Sequence, residues 1–169
     1  MAVGHTLEDN LSSKELLERG KIYAKNRETN DSAIYILSEL INRYAPGMSK
    51  EEKIYTIKAH QTLAHTYLSS YFNYTKAEEH LLNALELCDD IDYDKSQIYL
   101  SMGLMLHTMI DSNDLPDLIP QTKQYYLQAI EEAQRHNNTN TAVVALLNLV
   151  EIARLTQCLP EIKSQISIV

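Results

Sequence analysis

Short amphipathic segments that come in pairs are the feature that most constrains the fold of this chain. The clearest pair lies in the second quarter of the sequence, on either side of a polar break from Ser69 to Thr75. A break this short predicts that the two helices lie antiparallel as neighbours. Only four glycines and four prolines occur in 169 residues, too few for the turns of a sandwich or barrel. The apolar faces of the pair consist of Leu63, Ala64 and Tyr67 before the break and Ala77, Leu81 and Ala84 after it.

The same pattern can be found in three other places along the chain. Tyr67 serves as the landmark, because an aromatic residue at this position wedges between the two helices of a pair. The other copies have Leu16, Gly20 and Tyr23 with Ala33, Leu37 and Leu40; Tyr99, Met102, Gly103 and Leu106 with Tyr126, Ala129 and Ala133; and Leu146, Leu149, Val150 and Ala153 followed by a helix that opens at Pro160.

This order of residues resembles the tetratricopeptide repeat, in the irregular, stretched form found in bacterial proteins. The resemblance covers Ser13 to Val169, and it places Gly20, Ala64 and Gly103 where the family lets two helices approach closely. No copy has the family's Trp, and the copies are longer than the family period of about 34 residues. The resemblance implies an all-α solenoid of antiparallel helix pairs, a TPR-like superhelix of about three and a half repeats.

The extra length falls in polar or proline-bearing breaks. Ser49 followed by Glu52 predicts a capped helix start after the first of them. We expect residues 1–12 to form a poorly ordered N-terminal extension and residues 13–169 to form the repeat domain. The predicted helix pairs are 13–45, 50–89, 94–136 and 140–169, and the breaks between or within them are 45–49, 88–94, 111–120 and 136–141.

In the tetratricopeptide family the first helix of each pair lines a concave groove that holds a polypeptide. Asn148 is of particular interest, because the family commonly uses an Asn there to grip the backbone of a bound peptide. The family's clamp for a terminal carboxylate is not matched: Lys21 suits one clamp position, but Gln97 and Ser101 stand where the clamp needs Lys and Arg. The resemblance implies that the peptide-binding residues are Lys58, Gln61, His65, Gln97, Leu100, Leu104, His107, Asn148 and Arg154.

Charge and hydropathy bear on the class of partner. The formal net charge of -8 argues against nucleic acid, since binding to a phosphate backbone needs clustered Lys and Arg. No apolar stretch reaches the roughly 18 residues of a membrane span. We therefore expect a soluble segment without a membrane span, in the cytoplasm rather than the periplasm, whose partner is a protein or peptide.

The groupings that carry enzymatic chemistry are scarce. His60 and His65 are five residues apart and diverge around a helix, and the chain has no HExxH motif. His80, His107 and His136 fall in different segments without an acid at fixed spacing. Cys88 and Cys158 form no CxxC motif. We expect neither a catalytic site nor a metal or other cofactor.

These observations predict a non-enzymatic protein–protein interaction module with a concave groove. The alternative is the N-terminal sensory or regulatory repeat region of a longer bacterial signalling protein, either a transcriptional regulator or a sensor kinase. Ile162, Ile166 and Val169 recur at helical spacing with nothing downstream to cover them. We expect either that the chain is a piece of a longer protein or that a second copy covers this end in a homodimer.

Overall fold

The computed structural model describes residues 11–113 and 115–155. Within these residues all regular structure is helical, with seven α-helices and no strand, which confirms the predicted all-α class. None of the described helices combines the length and apolarity needed to cross a bilayer. The helices are α1 (Ser13–Tyr23), α2 (Asn30–Arg43), α3 (Lys50–Thr66), α4 (Tyr74–Leu87), α5 (Ser96–Asn113), α6 (Ile119–Arg135) and α7 (Thr139–Leu155).

The chain forms two structural units, which are described separately. Unit 1 extends to Asp92 and contains α1 to α4, and unit 2 starts at Tyr93 and contains α5 to α7. The predicted spans 13–45, 50–89 and 94–136 each contain two of these helices. In the last predicted pair, α7 is the first helix, and the second helix predicted from Pro160 lies outside the described residues.

In unit 1, α1 packs against both α2 and α3, α2 also contacts α3, and α3 packs against α4. Burial of the apolar faces removes Leu, Ile and Ala side chains from water, the main favourable contribution to folding. One core cluster consists of Leu16, Leu17, Ile36, Leu37, Leu40, Ala59 and Leu63.

The start of unit 1 is fixed by a helix cap. The Ser12 hydroxyl accepts a hydrogen bond from the Glu15 N–H, and the Glu15 carboxylate accepts one from the Ser12 N–H in return. Leu11 packs against the core cluster, and its carbonyl accepts a hydrogen bond of 2.6 Å from Arg43. Leu11 and Ser12 were predicted to belong to a poorly ordered extension, but they are part of the folded unit; residues 1–10 lie outside the described residues.

Two glycines allow helices to approach closely, as predicted. A Cβ atom added at Gly20 would overlap the Leu37 side chain, and one added at Gly103 would overlap the Tyr126 ring. Because Gly20 is on α1 and Leu37 on α2, while Gly103 is on α5 and Tyr126 on α6, each glycine serves the packing of one helix pair. This confirms the close approach expected at both positions.

In unit 2, α5 packs against α6 and α7, and α6 contacts α7. The starts of α5 and α7 are joined by Asn138, whose side-chain amide donates to the Asp94 carboxylate at 2.8 Å and to the Ser96 hydroxyl at 3.3 Å. Its side-chain oxygen accepts from the Thr141 N–H and thereby caps α7. The core cluster of unit 2 consists of Leu100, Ile110, Tyr126, Ala129, Ile130, Ala145, Leu149 and Ile152.

The predicted breaks differ in how much helix they contain. The predicted break 45–49 contains Gly47 in the left-handed region, and the Ser49 hydroxyl caps α3 by accepting from the Glu52 N–H. The break predicted from Ser69 to Thr75 is shorter than expected, because the helical backbone continues beyond α3 as a π-helical turn, Tyr67–Tyr71. Phe72 then ends the helix in the left-handed conformation.

Candidate binding groove

A groove lies between α1 and α3, the first helices of the two pairs in unit 1. Its volume is about 620 Å³. Side chains from the second half of α1 and the turn that follows form one wall, and residues near the end of α3 form the other. We call it the α1–α3 groove; its lining is Glu18, Lys21, Ile22, Ala24, Lys25, Arg27, Thr62, His65, Ser69 and Ser70.

The charged lining of the α1–α3 groove is mostly basic. Lys21, Lys25 and Arg27 face a single acidic lining residue, Glu18, whose carboxylate accepts a hydrogen bond of 3.1 Å from the Lys21 ammonium. The Arg27 guanidinium reaches the Ser70 carbonyl across the groove at 3.5 Å. The charge of this groove is thus opposite in sign to the net charge of the whole chain, which is -8.

The wall formed by the end of α3 and the π-helical turn is polar. Thr62 and His65 come from α3 and Ser69 and Ser70 from the turn, and all four line the groove. The Ser70 hydroxyl accepts a hydrogen bond of 2.6 Å from the buried Asn30 amide, which ties the turn to the start of α2. The Tyr71 hydroxyl, also in the turn, donates a hydrogen bond to the Asp31 carboxylate of α2.

The candidate residues of unit 1 lie on or next to this groove. His65 is exposed and lines it. Lys58 is one helical turn before Thr62, and its carbonyl accepts a hydrogen bond from the Thr62 hydroxyl. Gln61 is half-buried on the same helix and has partners of its own. The sequence pattern did not predict the lining residues on the α1 wall except Lys21, because the resemblance implied binding residues only in the first helices of the later pairs.

Two of the candidate residues of unit 2 are buried. Leu100 is 5% exposed and belongs to the core cluster, and His107 is 9% exposed, with Nδ1 lying 3.0 Å from the Tyr126 hydroxyl. Neither presents enough surface for a partner, so the binding role expected for both is corrected here. The pattern misassigned them because α5 is apolar on more than one face, which blurs the distinction between its packing side and its open side.

The remaining candidates of unit 2 are accessible but partly engaged. The Gln97 amide donates to the Thr141 hydroxyl at 2.5 Å, and the Asn148 amide donates to the Val144 carbonyl of its own helix at 2.8 Å. Arg154 is exposed and lies 3.4 Å from the Glu151 carboxylate. Leu104 is 38% exposed. One of the two N–H donors of the Asn148 amide is thus bonded within its own helix.

Sequence reasoning missed a pair of histidines inside unit 1. The Nδ1 atoms of His60 on α3 and His80 on α4 are 2.9 Å apart, and the Tyr67 ring stacks on His80 with centroids 5.6 Å apart. Burial, helped by the neighbouring His80, lowers the pKa of His60 to about 4, and burial also lowers the pKa of His80. Both rings are therefore neutral at pH 7, and one Nδ1–H donates to the other Nδ1. The burial of His60 could have been predicted from the sequence, because His60 precedes Leu63 by three residues and therefore lies on the same buried helical face.

Unit 2 has an apolar groove between α6 and α7, again of about 620 Å³. Its apolar lining includes Leu127, Val143 and Leu146, and Glu131 is the one charged residue among the described residues that line it. Leu127 is 38% and Val143 47% exposed. The two grooves thus have similar volumes and opposite chemical character.

Groups that could hold a metal ion are not found in the part of the chain that the structure describes, where no three His, Cys, Asp or Glu side chains converge. Cys88 is buried, and its thiol donates to the Ala84 carbonyl at 3.1 Å. The other cysteine, Cys158, lies outside the described residues.

Comparison with known proteins gives no assignment. No sequence profile of a protein family, no curated protein and no solved structure matches the chain. The likeness to tetratricopeptide repeats therefore remains a resemblance.

Proposed function

We propose that this protein is a non-enzymatic interaction module that holds a polypeptide segment in the α1–α3 groove. The observation that supports this proposal most directly is the open groove between two first helices, bordered by His65 at the position that the sequence pattern predicted for partner contact. The exposed Lys25 and Ser69 side chains supply hydrogen-bond donors at its two walls.

The contact pattern between helices supports a TPR-like arrangement, which is part of the proposal. In unit 1 the first helix α1 contacts its partner α2 and the next first helix α3. In unit 2, α5 contacts α6 and α7 in the same way. Repetition of one contact scheme, with a glycine at the crossing of α1 with α2 and of α5 with α6, is what stacked helix pairs require.

The chemistry of the groove favours a polypeptide over a small metabolite. Small-molecule sites are mostly enclosed and apolar, with a few convergent polar groups. Here the walls are long charged side chains and hydroxyls, and Ile22 is the one large apolar side chain, 62% exposed. Such a surface suits a chain that offers both backbone hydrogen bonds and side chains.

The test is selection of ligands from a displayed library of short random peptides, followed by binding titrations of the enriched peptides. We expect Ser69→Trp, which places an indole in the groove from an exposed position, to weaken binding at least tenfold. Ser112→Trp is the matched control, because Ser112 is an exposed helical serine in unit 2. Circular dichroism would verify that both variants fold. An absence of enriched peptides, or equal binding by Ser69→Trp and Ser112→Trp, would contradict the proposal.

A further inference from the structure

We infer that the segment held in the α1–α3 groove is acidic, with carboxylates that meet Lys21, Lys25 and Arg27 and an apolar side chain that rests on Ile22. This inference builds on the proposed function and adds the chemistry of the partner. It rests on charge complementarity and on where the basic side chains stand.

The charged lining of the groove is mostly cationic. Three of its residues are Lys or Arg and one is Glu. Glu18 is also already engaged by Lys21 at 3.1 Å. Lys25 makes no ion pair with any residue that the structure describes, and its side chain is exposed. An incoming carboxylate therefore meets a net positive surface, whereas an incoming Lys or Arg is repelled.

Two of the cations stand on the same wall of the groove. Lys21 lies in the last turn of α1 and Lys25 in the turn that follows the helix, and both line the groove. The two ammonium groups can therefore meet two carboxylates of one bound segment.

Arg27 lies at the end of the groove. Arg27 follows α1 and reaches across to the Ser70 carbonyl, so its guanidinium marks where the two walls meet. A guanidinium keeps donors free when one of them is used, and its planar fork can hold a carboxylate with two hydrogen bonds. Ile22 is adjacent to Lys21 and offers the apolar contact beside the charges.

This arrangement differs from a clamp built from three consecutive first helices. All three cations come from the second half of α1 and the turn after it, and the α3 wall contributes hydroxyls and His65. The geometry therefore selects acidic side chains along a segment, and it does not require a free carboxyl terminus.

The experiment measures fluorescence anisotropy with three labelled synthetic peptides of equal length. One contains Glu and Leu, one contains Lys and Leu, and one contains Ser and Gln. We expect the Glu–Leu peptide to bind at least tenfold more tightly than the others at low salt, and its affinity to fall as salt is added.

Variants of the charged lining residues should change the affinity in opposite directions, depending on the sign of the charge that is removed. Lys25→Glu should weaken binding of the Glu–Leu peptide several-fold, and Lys25→Glu combined with Arg27→Glu should weaken it at least tenfold. Glu18→Gln should strengthen it about twofold, because it removes the carboxylate that competes for Lys21. Lys14→Glu is the matched control, since Lys14 is an exposed lysine of α1 outside the groove, and it should change binding little.

The outcomes separate this inference from the proposed function. If library peptides bind and Ser69→Trp blocks them, but they are not acidic and Lys25→Glu has no effect, the inference fails while the binding groove stands. If no peptide binds, both fail. Heparin, an anionic polysaccharide, provides a further arm: tighter binding of heparin than of the Glu–Leu peptide would overturn the assignment to an acidic polypeptide.

Discussion

Units 1 and 2 bury polar side chains between their helices in different ways. In unit 1 two imidazoles, His60 and His80, face each other between α3 and α4. In unit 2 the contact between α5 and α6 pairs an imidazole with a phenol, His107 with Tyr126. In both units a histidine on the first helix meets a ring on the second. The two contacts differ in the second ring, which is an imidazole in unit 1 and a phenol in unit 2.

The helix caps differ between the units in a similar way. The caps at Ser12 and Ser49 in unit 1 bond to residues of the helix that they start. Asn138 in unit 2 caps α7 and also bonds to Asp94 and Ser96 at the start of α5. A cap of the first kind stabilises one helix, and a cap of the second kind also holds two helices together.

The largest effect is therefore expected at Asn138. Partial burial opposes ionisation of the Asp94 carboxyl, but hydrogen bonds from Ser96 and Asn138 outweigh it and lower the pKa of Asp94. Asn138→Ala removes a cap and a bond to a charged acceptor, and it should lower the free energy of unfolding by about 2 to 3 kcal/mol. Ser49→Ala, the matched cap in unit 1, should cost about 1 kcal/mol. Urea titrations followed by circular dichroism measure both, and equal losses would show that the cross-helix bonds contribute nothing.

Acid should destabilise the protein through the imidazole pair. The folded pKa of His60 is about 4 against an ordinary value of 6.5, because burial and the adjacent His80 disfavour the charged ring. Between these two values the unfolded chain takes up a proton that the folded chain refuses, so stability falls as the pH falls. Lowering the pH from about 7 to about 5 should cost roughly 2 kcal/mol from His60.

The variant His60→Leu isolates this contribution, because Leu cannot take up a proton. The part of the loss of stability between about pH 7 and pH 5 that comes from His60 should disappear in this variant, while the part from His80 remains. The control is His65→Asn, which changes an exposed histidine on the same helix. If His60→Leu retains the pH dependence of the unmodified protein, another group is responsible.

The two glycines at helix crossings should both be sensitive to an added methyl group. Gly103→Ala drives a methyl group into the Tyr126 ring, and Gly20→Ala drives one into the Leu37 side chain, which is fully buried. Overpacking costs about 1 to 3 kcal/mol, and the helix preference of Ala returns about 1 kcal/mol. We expect a net loss of about 1 to 2 kcal/mol for each variant. Thermal unfolding measures both, and an unchanged midpoint for either variant would contradict this account.

The smallest effect is expected for Tyr126→Phe. Burial raises the pKa of Tyr126, so its hydroxyl stays protonated and forms a hydrogen bond with the Nδ1 atom of His107. Loss of this bond should cost about 1 kcal/mol. The variant Tyr125→Phe is the control, since Tyr125 is the half-buried neighbour on the same helix. Indistinguishable unfolding midpoints for the two variants would mean that the His107 contact is not stabilising.

Much of the fold could be predicted from local patterns, because small residues and polar breaks act within one helix pair. Gly20 and Gly103 marked close packing, and each predicted break lies between two helices, although helical backbone extends into several of the breaks. Neither His60 nor His80 was recognised as half of a pair, since their contact depends on how α3 and α4 pack. Sequence spacing within a helix constrains i and i+4 neighbours, but it does not report which residues of two helices meet.

The candidate site residues differ in how accessible the fold leaves them. His65 lines the α1–α3 groove, because it lies on the face of α3 away from Leu63 and Ala64, and its contact with a partner stays a prediction. Leu100 and His107 were expected at the surface and are buried. The basic wall from Lys25 and Arg27 was missed because interleaved acids hide it in the sequence; only folding separates Glu28, which does not line the groove, from Arg27, which does.

The π-helical turn Tyr67–Tyr71 has a consequence for how this chain tolerates changes in length. The turn contains more residues than a regular α-helical turn, which changes the direction of its last side chains. Deletion of Ser69 would turn Ser70 away from Asn30 and Tyr71 away from Asp31 in a single step. The number of residues in this stretch therefore determines which side chains reach α2, so an insertion or deletion here should be tolerated less well than a substitution.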